Sequence, residues 1–294
     1  MADAVAAGAD ARLSLKEIFG KVGDNFWYWL FTDGYDRNPL VRKVLPSMPD
    51  TQIQTNFTGR SGHMALSQAF EAYKLFKLIY SKNAKDFVEC GSVLDFGCGW
   101  GRIIRFFLKD VEPTRLWGID CYREMIDLCK TQNLRCNFDA IAPMPPTRFP
   151  DASFDLIYLY SVFSHLSEEA HLKWLQEFSR LLKPSGMVIA TTRPRDFIRH
   201  CIELSKKEDL EPWQFGAAIS FQNPEQALRE YDEGKFVHSA TGGGGILERS
   251  FYGESCIPEK YVKGVWTRFF PVTGYVYADD HRGFDQDVIF ARKS

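Results

Sequence analysis

Apolar residues recur three and four positions apart at Leu66, Ala69, Phe70, Tyr73, Phe76 and Tyr80, which predicts an amphipathic helix. Ahead of it the pattern is weaker. Ser14 to Tyr28 reads as short helix, and Asp33 to Pro49 is rich in turn residues, with Asp33-Gly34 and Asn38-Pro39. Phe57-Thr58-Gly59-Arg60-Ser61-Gly62 reads as a loop. The period then changes. Ser92 to Phe96 is a short apolar run, Gly97 to Gly101 a tight loop, and Arg102 to Leu108 the start of a helix. Leu116 to Ile119 is a second strand, closed by Asp120, and Tyr122 to Lys130 is helical with Met125, Ile126 and Cys129 on one face. Phe154 to Tyr160 is another strand. Ser167 suits the N-cap of a helix whose apolar stripe is Leu172, Leu175, Phe178 and Leu182. Pro184-Ser185-Gly186 stops that helix, and Met187 to Thr191 is the next strand. Strands and helices alternating at this spacing predict parallel strands joined by crossovers.

After Thr192 the rhythm breaks. The stretch 193–257 shows no βα repeat, only a short helix over Asn223 to Tyr231 and a run of glycines, Gly242 to Gly245, that forms a candidate hinge. Tyr261 to Trp266 reads as helix, and Phe269 to Tyr277 and Asp287 to Ala291 as closing strands. The organisation expected is an N-terminal helical extension with a cofactor-covering loop over 1–90, and a core over 91–294. Within the core, 193–257 is an insertion that binds the acceptor, being far longer than the usual 2–6 residues of a βα connection.

Composition narrows the function classes. Net charge is −2 across 294 residues, which speaks against a basic nucleic-acid-binding surface, so no nucleic-acid partner is expected. No apolar run approaches 18 residues, and Met1 to Leu13 lacks a basic segment followed by an apolar one. Neither membrane insertion nor a signal peptide is expected, and the reading is cytoplasmic. Seven cysteines, an odd count without a CxxC pair, read as free thiols. No metal-ligand spacing such as HExxH occurs, so no metal is expected.

The sharpest chemistry is Asp95-Phe96-Gly97-Cys98-Gly99-Trp100-Gly101-Arg102, a glycine loop between a strand and a helix. A dinucleotide fingerprint requires G-x-G-x-x-G; this loop is G-x-G-x-G with an acid just before it. Asp95 would repel a pyrophosphate but suits an ammonium group. Asp120, 25 residues further on, ends the second strand where a carboxylate can accept from a ribose diol. Asp139 is placed to reach an adenine amino group, with the backbone of Ala140 and Ile141 as the alternative. These features point to an amino-acid-bearing nucleoside.

From about Val93 to Thr192 the chain resembles the class I S-adenosylmethionine-dependent methyltransferases, in the small-molecule branch with a methyltransferase domain of the ubiquinone-biosynthesis type. Five motifs carry the resemblance in order: Val93 to Gly101, Gly118-Ile119-Asp120, Pro150 to Ile157, Ser161 to Leu166, and Leu181 to Gly186. The resemblance implies a doubly wound α/β fold. Its seven-stranded, mostly parallel sheet has an antiparallel last strand, with the N-terminal helical extension before it and the insertion after the fifth strand. It implies S-adenosylmethionine as cofactor, held by Gly97, Cys98, Gly99 and Asp120, with Ser161 and Phe163 near the sulfonium. It also implies methyl transfer to an oxygen or nitrogen of a small-molecule acceptor. The loop around Arg60 is loosely similar to one found in members encoded beside sugar enzymes, which makes a sugar derivative a candidate acceptor. The alternatives are a cofactor-binding protein without methyl transfer and an NAD-dependent oxidoreductase, the second opposed by the loop spacing.

Other roles are read from residue chemistry. The methionine carboxylate of such a cofactor calls for a cation, with Arg60 preferred and Arg102 as competitor. His165 and His238 are the candidates for proton removal from the acceptor, each against a structural alternative. Trp27, Tyr28 and Trp29 are either a cover for the ligands or ordinary packing. Arg193, Arg195, Trp213, Phe215 and Phe221 suit acceptor recognition. His171 reads as a solvated helix residue.

Overall fold

The computed structural model describes residues 13–281 and 283–294, with the side chains of Pro212 and Trp213 left out. The expectations for residues 1–12 and for the Trp213 ring lie outside the described residues. The chain divides into two compact units, Met1–Ala142 with Phe154–Tyr158, and Pro143–Ser153 with Leu159–Ser294.

The strands are β1 (Val93–Phe96), β2 (Leu116–Asp120), β3 (Asn137–Ala140), β4 (Phe154–Leu159), β5 (Leu182–Thr192), β6 (Val237–Ser239), β7 (Glu254–Cys256), β8 (Val272–Val276) and β9 (Asp287–Arg292). Seven of them form one sheet in the order β3-β2-β1-β4-β5-β9-β8, and β6 and β7 form a separate pair. β1 is parallel to β2 and β4, and β2 is parallel to β3. β9 is antiparallel to both β5 and β8. This is the doubly wound, mostly parallel sheet expected, with its antiparallel last strand. β1 and β4 are buried along their whole length, as strands covered on both faces must be. Among the described residues no helix is long and apolar enough to cross a membrane.

In the first unit, the helix Gly62–Asn83 buries Leu66, Ala69, Phe70, Tyr73, Phe76 and Tyr80, the set its periodicity predicts. The weaker signal before it was under-read. Asp33–Arg37 and Pro39–Val44 are short helices, Asn38 capping the second by accepting from the Leu40 N–H at 2.9 Å. Thr51–Thr58 is also helical and ends at Gly59, which has a φ of +68°. Turn-rich composition marked the caps and concealed the single turns between them. Trp27 is core rather than cover: it is fully buried, and its indole N–H donates to the Phe106 carbonyl at 3.0 Å. Tyr28 stacks on Phe70 with ring centroids 4.7 Å apart.

In the second unit, the helix Glu168–Leu181 follows the Ser167 cap, but its buried stripe is Ala170, His171, Trp174, Leu175, Phe178 and Leu181. The predicted phase was one residue off at Leu172, because a histidine occupies an apolar position. His171 is therefore buried among rings, 4.6 Å from Phe163 and 5.5 Å from Trp266, and is not solvated. Pro184-Ser185-Gly186 lies inside β5 rather than before it, with Ser185 at a φ of +61°. The stretch after β5 forms the helices Arg195–Ser205, Pro212–Ala218 and Pro224–Glu233 and the β6–β7 pair, around a small core of Ile198, Cys201, Phe221, Ala227, Tyr231, Val237 and Cys256. Phe221 belongs to that core and is not an exposed stacking surface. Gly242 to Gly245 leads into a turn closed by the Leu247 N–H on the Gly244 carbonyl at 3.0 Å, and the Gly242 N–H donates to the Tyr252 carbonyl at 3.2 Å.

Candidate active site

In the first unit, the loop after β1 is held from several sides. Gly97 and Gly99 take φ values of +72° and +51°, in the left-handed region that glycine enters without a Cβ penalty. The Gly97 and Cys98 amides both donate to the Ile119 carbonyl, at 2.8 and 3.1 Å, and the Gly101 amide donates to Cys98. The Gly99 amide donates to Asp120 Oδ2 at 2.9 Å. The loop carbonyls are engaged as well: Gly99 by the Cys129 thiol at 3.2 Å, Trp100 by Gln132 at 3.1 Å, and Gly101 by Arg105 at 3.1 Å. Arg105 and Gln132 brace the loop and went unseen in the sequence, since their partners are backbone atoms. Trp100 lies buried under the Arg105 guanidinium, 4.9 Å from its ring centroid, so it packs rather than narrowing a pocket.

Among the described residues, the Gly97 carbonyl is the one in this loop that accepts no hydrogen bond. Beside it stand two buried acids. Burial pushes the Asp95 carboxyl up to about 7; the Tyr158 hydroxyl, Arg102 and the Ile104 amide oppose this, and Asp120 adds to it. Asp120 is also raised by burial, against the Tyr122 and Gly99 amides that hydrogen-bond it. Gly99 faces open space, since a Cβ there would meet no atom within 4 Å. The edge thus offers acceptors, while most of its amides are engaged within the loop. A pyrophosphate needs free N–H donors. A ligand carrying an ammonium and a ribose diol needs acceptors, and these residues fit it.

The remaining first-unit candidates surround this edge. Arg102 is buried, its guanidinium donating to Gln68 at 2.6 Å and to the Ala65 carbonyl at 3.4 Å. Both partners lie in the first turns of the helix Gly62–Asn83, whose preceding turn carries half-buried Arg60. One helix earlier, Phe57 meets Tyr122, two residues past Asp120, edge to face at 5.8 Å. Asp139 is half-buried on β3, next to Ala140, the register partner of Asp120. The Cys98 thiol is buried, and burial beside Cys129 pushes it well above its usual range, so it is no nucleophile.

In the second unit, Ser161 takes a φ of +59°, an uncommon conformation for a residue with a side chain. Thr191 Oγ1 accepts from its amide at 2.7 Å, and Gln286 Nε2 donates to its hydroxyl at 3.1 Å. His165 lies four residues on. Its Nδ1 donates to the Gly253 carbonyl at 2.8 Å, and its ring stacks on Tyr252 at 5.2 Å. His238 Nδ1 lies 2.8 Å from Ser255 Oγ. Arg193 pairs with Glu254 at 3.0 Å, and Arg195 with Asp232 at 2.6 Å. Burial lowers the pKa of both histidines; Glu254 opposes this in each. The segment 251–255 adds to the segment 164–167 as a ladder: Ser167 N to Phe251 O, Gly253 N to His165 O, and Ser255 N to Ser164 O. Gly253, Glu254 and Ser255 were missed in the sequence.

The sheet order, the antiparallel last strand and the glycine loop between β1 and the following helix are those that the resemblance in the sequence implied. Residues 93–186 match the methyltransferase domain family. Among solved structures the chain is similar to an S-adenosylmethionine-dependent methyltransferase from Mesorhizobium loti, at 16% identity and a TM-score of 0.36 over 45% of this chain. It is similar to the [4+2]-cyclase SpnF at 23% identity and a TM-score of 0.33 over 41% of this chain. These two matches span 56% and 44% of the other chains. DesVI of Streptomyces venezuelae is similar over 84% of this chain and 100% of its own, at 11% identity and a TM-score of 0.50, a likeness of fold.

Proposed function

We propose that the chain transfers a methyl group from S-adenosylmethionine to an oxygen or nitrogen of a small-molecule acceptor, with sugar derivatives as candidates. The observation that carries this is the acceptor-rich edge of Gly97, Asp95 and Asp120, set against loop amides already engaged. When bound, the cofactor supplies a methyl group activated on a sulfonium. Asp120 would hold its ribose diol, Asp95 and the Gly97 carbonyl its ammonium, and Asp139 its adenine. Arg60 would meet its carboxylate, with Arg102 as the competitor. In-line displacement needs no covalent nucleophile, so the protein's remaining task is to orient the acceptor and take its proton. His165 and His238 are assigned that task, each through Nε2, and 193–257 carries acceptor recognition. Calorimetry with S-adenosylhomocysteine and with NADH, followed by transfer of label from methyl-labelled cofactor to a panel of alcohols and amines, tests the reading. Binding of NADH in place of S-adenosylhomocysteine would overturn it.

A further inference from the structure

The tautomers of both histidines follow from their partners. A carbonyl only accepts, so the Gly253 oxygen, 2.8 Å from His165 Nδ1, requires a proton on that nitrogen and leaves Nε2 of the neutral ring bare. Ser255 does the same for His238 by a longer route. Its single hydroxyl proton goes to the Leu166 carbonyl at 2.6 Å. The oxygen must then accept from His238 Nδ1 at 2.8 Å, which again leaves Nε2 bare. His238 Nε2 is buried and, among the described residues, meets no donor. Gln286 Oε1, on the residue that holds Ser161, is a second buried acceptor without a partner among the described residues. Buried polar atoms are rarely left so without a reason. Among the described residues, Arg193 is engaged by Glu254.

We propose that Ser255 is a positioning residue that holds His238 with a bare Nε2, and that the bare nitrogens of His165 and His238 select an acceptor presenting O–H or N–H donors over one presenting a carboxylate or phosphate. The inference rests on the methyl-transfer reading only in calling that molecule the methyl acceptor. Neutral polyols and amines satisfy such a site. An anion brings lone pairs to lone pairs, beside Glu254.

The experiment is nitrogen NMR of the full chain labelled at histidine and saturated with S-adenosylhomocysteine, with methylammonium as a donor-only probe and acetate as an acceptor-only probe. Both rings are expected as the Nδ1–H tautomer. Methylammonium should shift both Nε2 signals and acetate neither. Ser255→Ala should turn His238 into a tautomer mixture, leave His165 unchanged and weaken methylammonium roughly tenfold, the loss of about one hydrogen bond. Ser255→Thr, which keeps the hydroxyl, should restore both. A proton on His238 Nε2 in the unaltered chain, a response to acetate alone, or no response to either probe would overturn the proposal. Failure to bind S-adenosylhomocysteine is read separately by calorimetry and would count against the methyl-transfer reading instead.

Discussion

At the scale of single residues, the loop after β1 holds two kinds of glycine. Gly101 has a φ of +75°, and a Cβ there would lie 2.6 Å from Leu134 Cδ1, whereas Gly99 faces open space. Gly101→Ala should lower the melting temperature, its cost being left-handed strain of about 1–2 kcal/mol plus repacking around Leu134. Gly99→Ala should cost the strain alone and show its main effect in calorimetry, as weakened S-adenosylhomocysteine binding. Equal binding losses in two equally stable variants would contradict this division. Asp95 gives a pH signature. Its carboxyl, raised by burial to about 7, is largely protonated in the free protein below that pH, and a bound ammonium favours the carboxylate. Binding then releases a proton, so affinity should climb by up to about tenfold per unit as pH rises towards 7 and level off above it. Asp95→Asn should flatten the profile, and calorimetry in buffers of different ionisation heat counts the proton. Arg60→Met should weaken S-adenosylhomocysteine and barely affect adenosine, which has no carboxylate. Equal losses for both would remove Arg60 from that role.

At the scale of elements, the helix Glu168–Leu181 carries an acid-sensitive device in His171. Burial lowers this imidazole from 6.5 to about 3, with no hydrogen-bond partner on either nitrogen among the described residues. Between those values the unfolded chain binds a proton that the folded one refuses. Stability is therefore lost as pH falls below 6.5, by roughly 1.4 kcal/mol per unit from this group. From pH 7.5 to pH 5, the unaltered chain should lose about 2 kcal/mol more than His171→Leu in urea melts. Parallel pH profiles would show that His171 is protonated in the folded state. The same helix shows where sequence reading stops. Its cap, length and apolar period were legible, because they depend on neighbours three and four residues away. The burial of His171 was not, because it depends on Phe163 and Trp266. The β6–β7 pair was invisible for the same reason: three-residue strands have too few positions to show a period, and Ser255 acquires meaning only opposite His238. The glycine loop and Asp120 were legible because a tight turn demands its residues locally.

At the scale of the whole molecule, a ligand that binds only the folded chain stabilises it by mass action. S-adenosylhomocysteine at a hundred times its dissociation constant should add about 2.7 kcal/mol, read as a rise in melting temperature. The absence of any rise would count against cofactor binding. The chain's path through its two compact units has a further consequence. Phe154–Tyr158 belongs to the first unit although Pro143–Ser153 before it and Leu159 after it belong to the second. β1 is flanked by β2 and β4, and its β4 partners are Leu156, Ile157 and Tyr158. On the ribosome, a nascent chain that has emerged only as far as Ala142 holds the glycine loop and all of β2 and β3, yet one edge of β1 remains unpaired. Slow translation just after that point would prolong exposure of an apolar strand edge, the form most open to aggregation during synthesis.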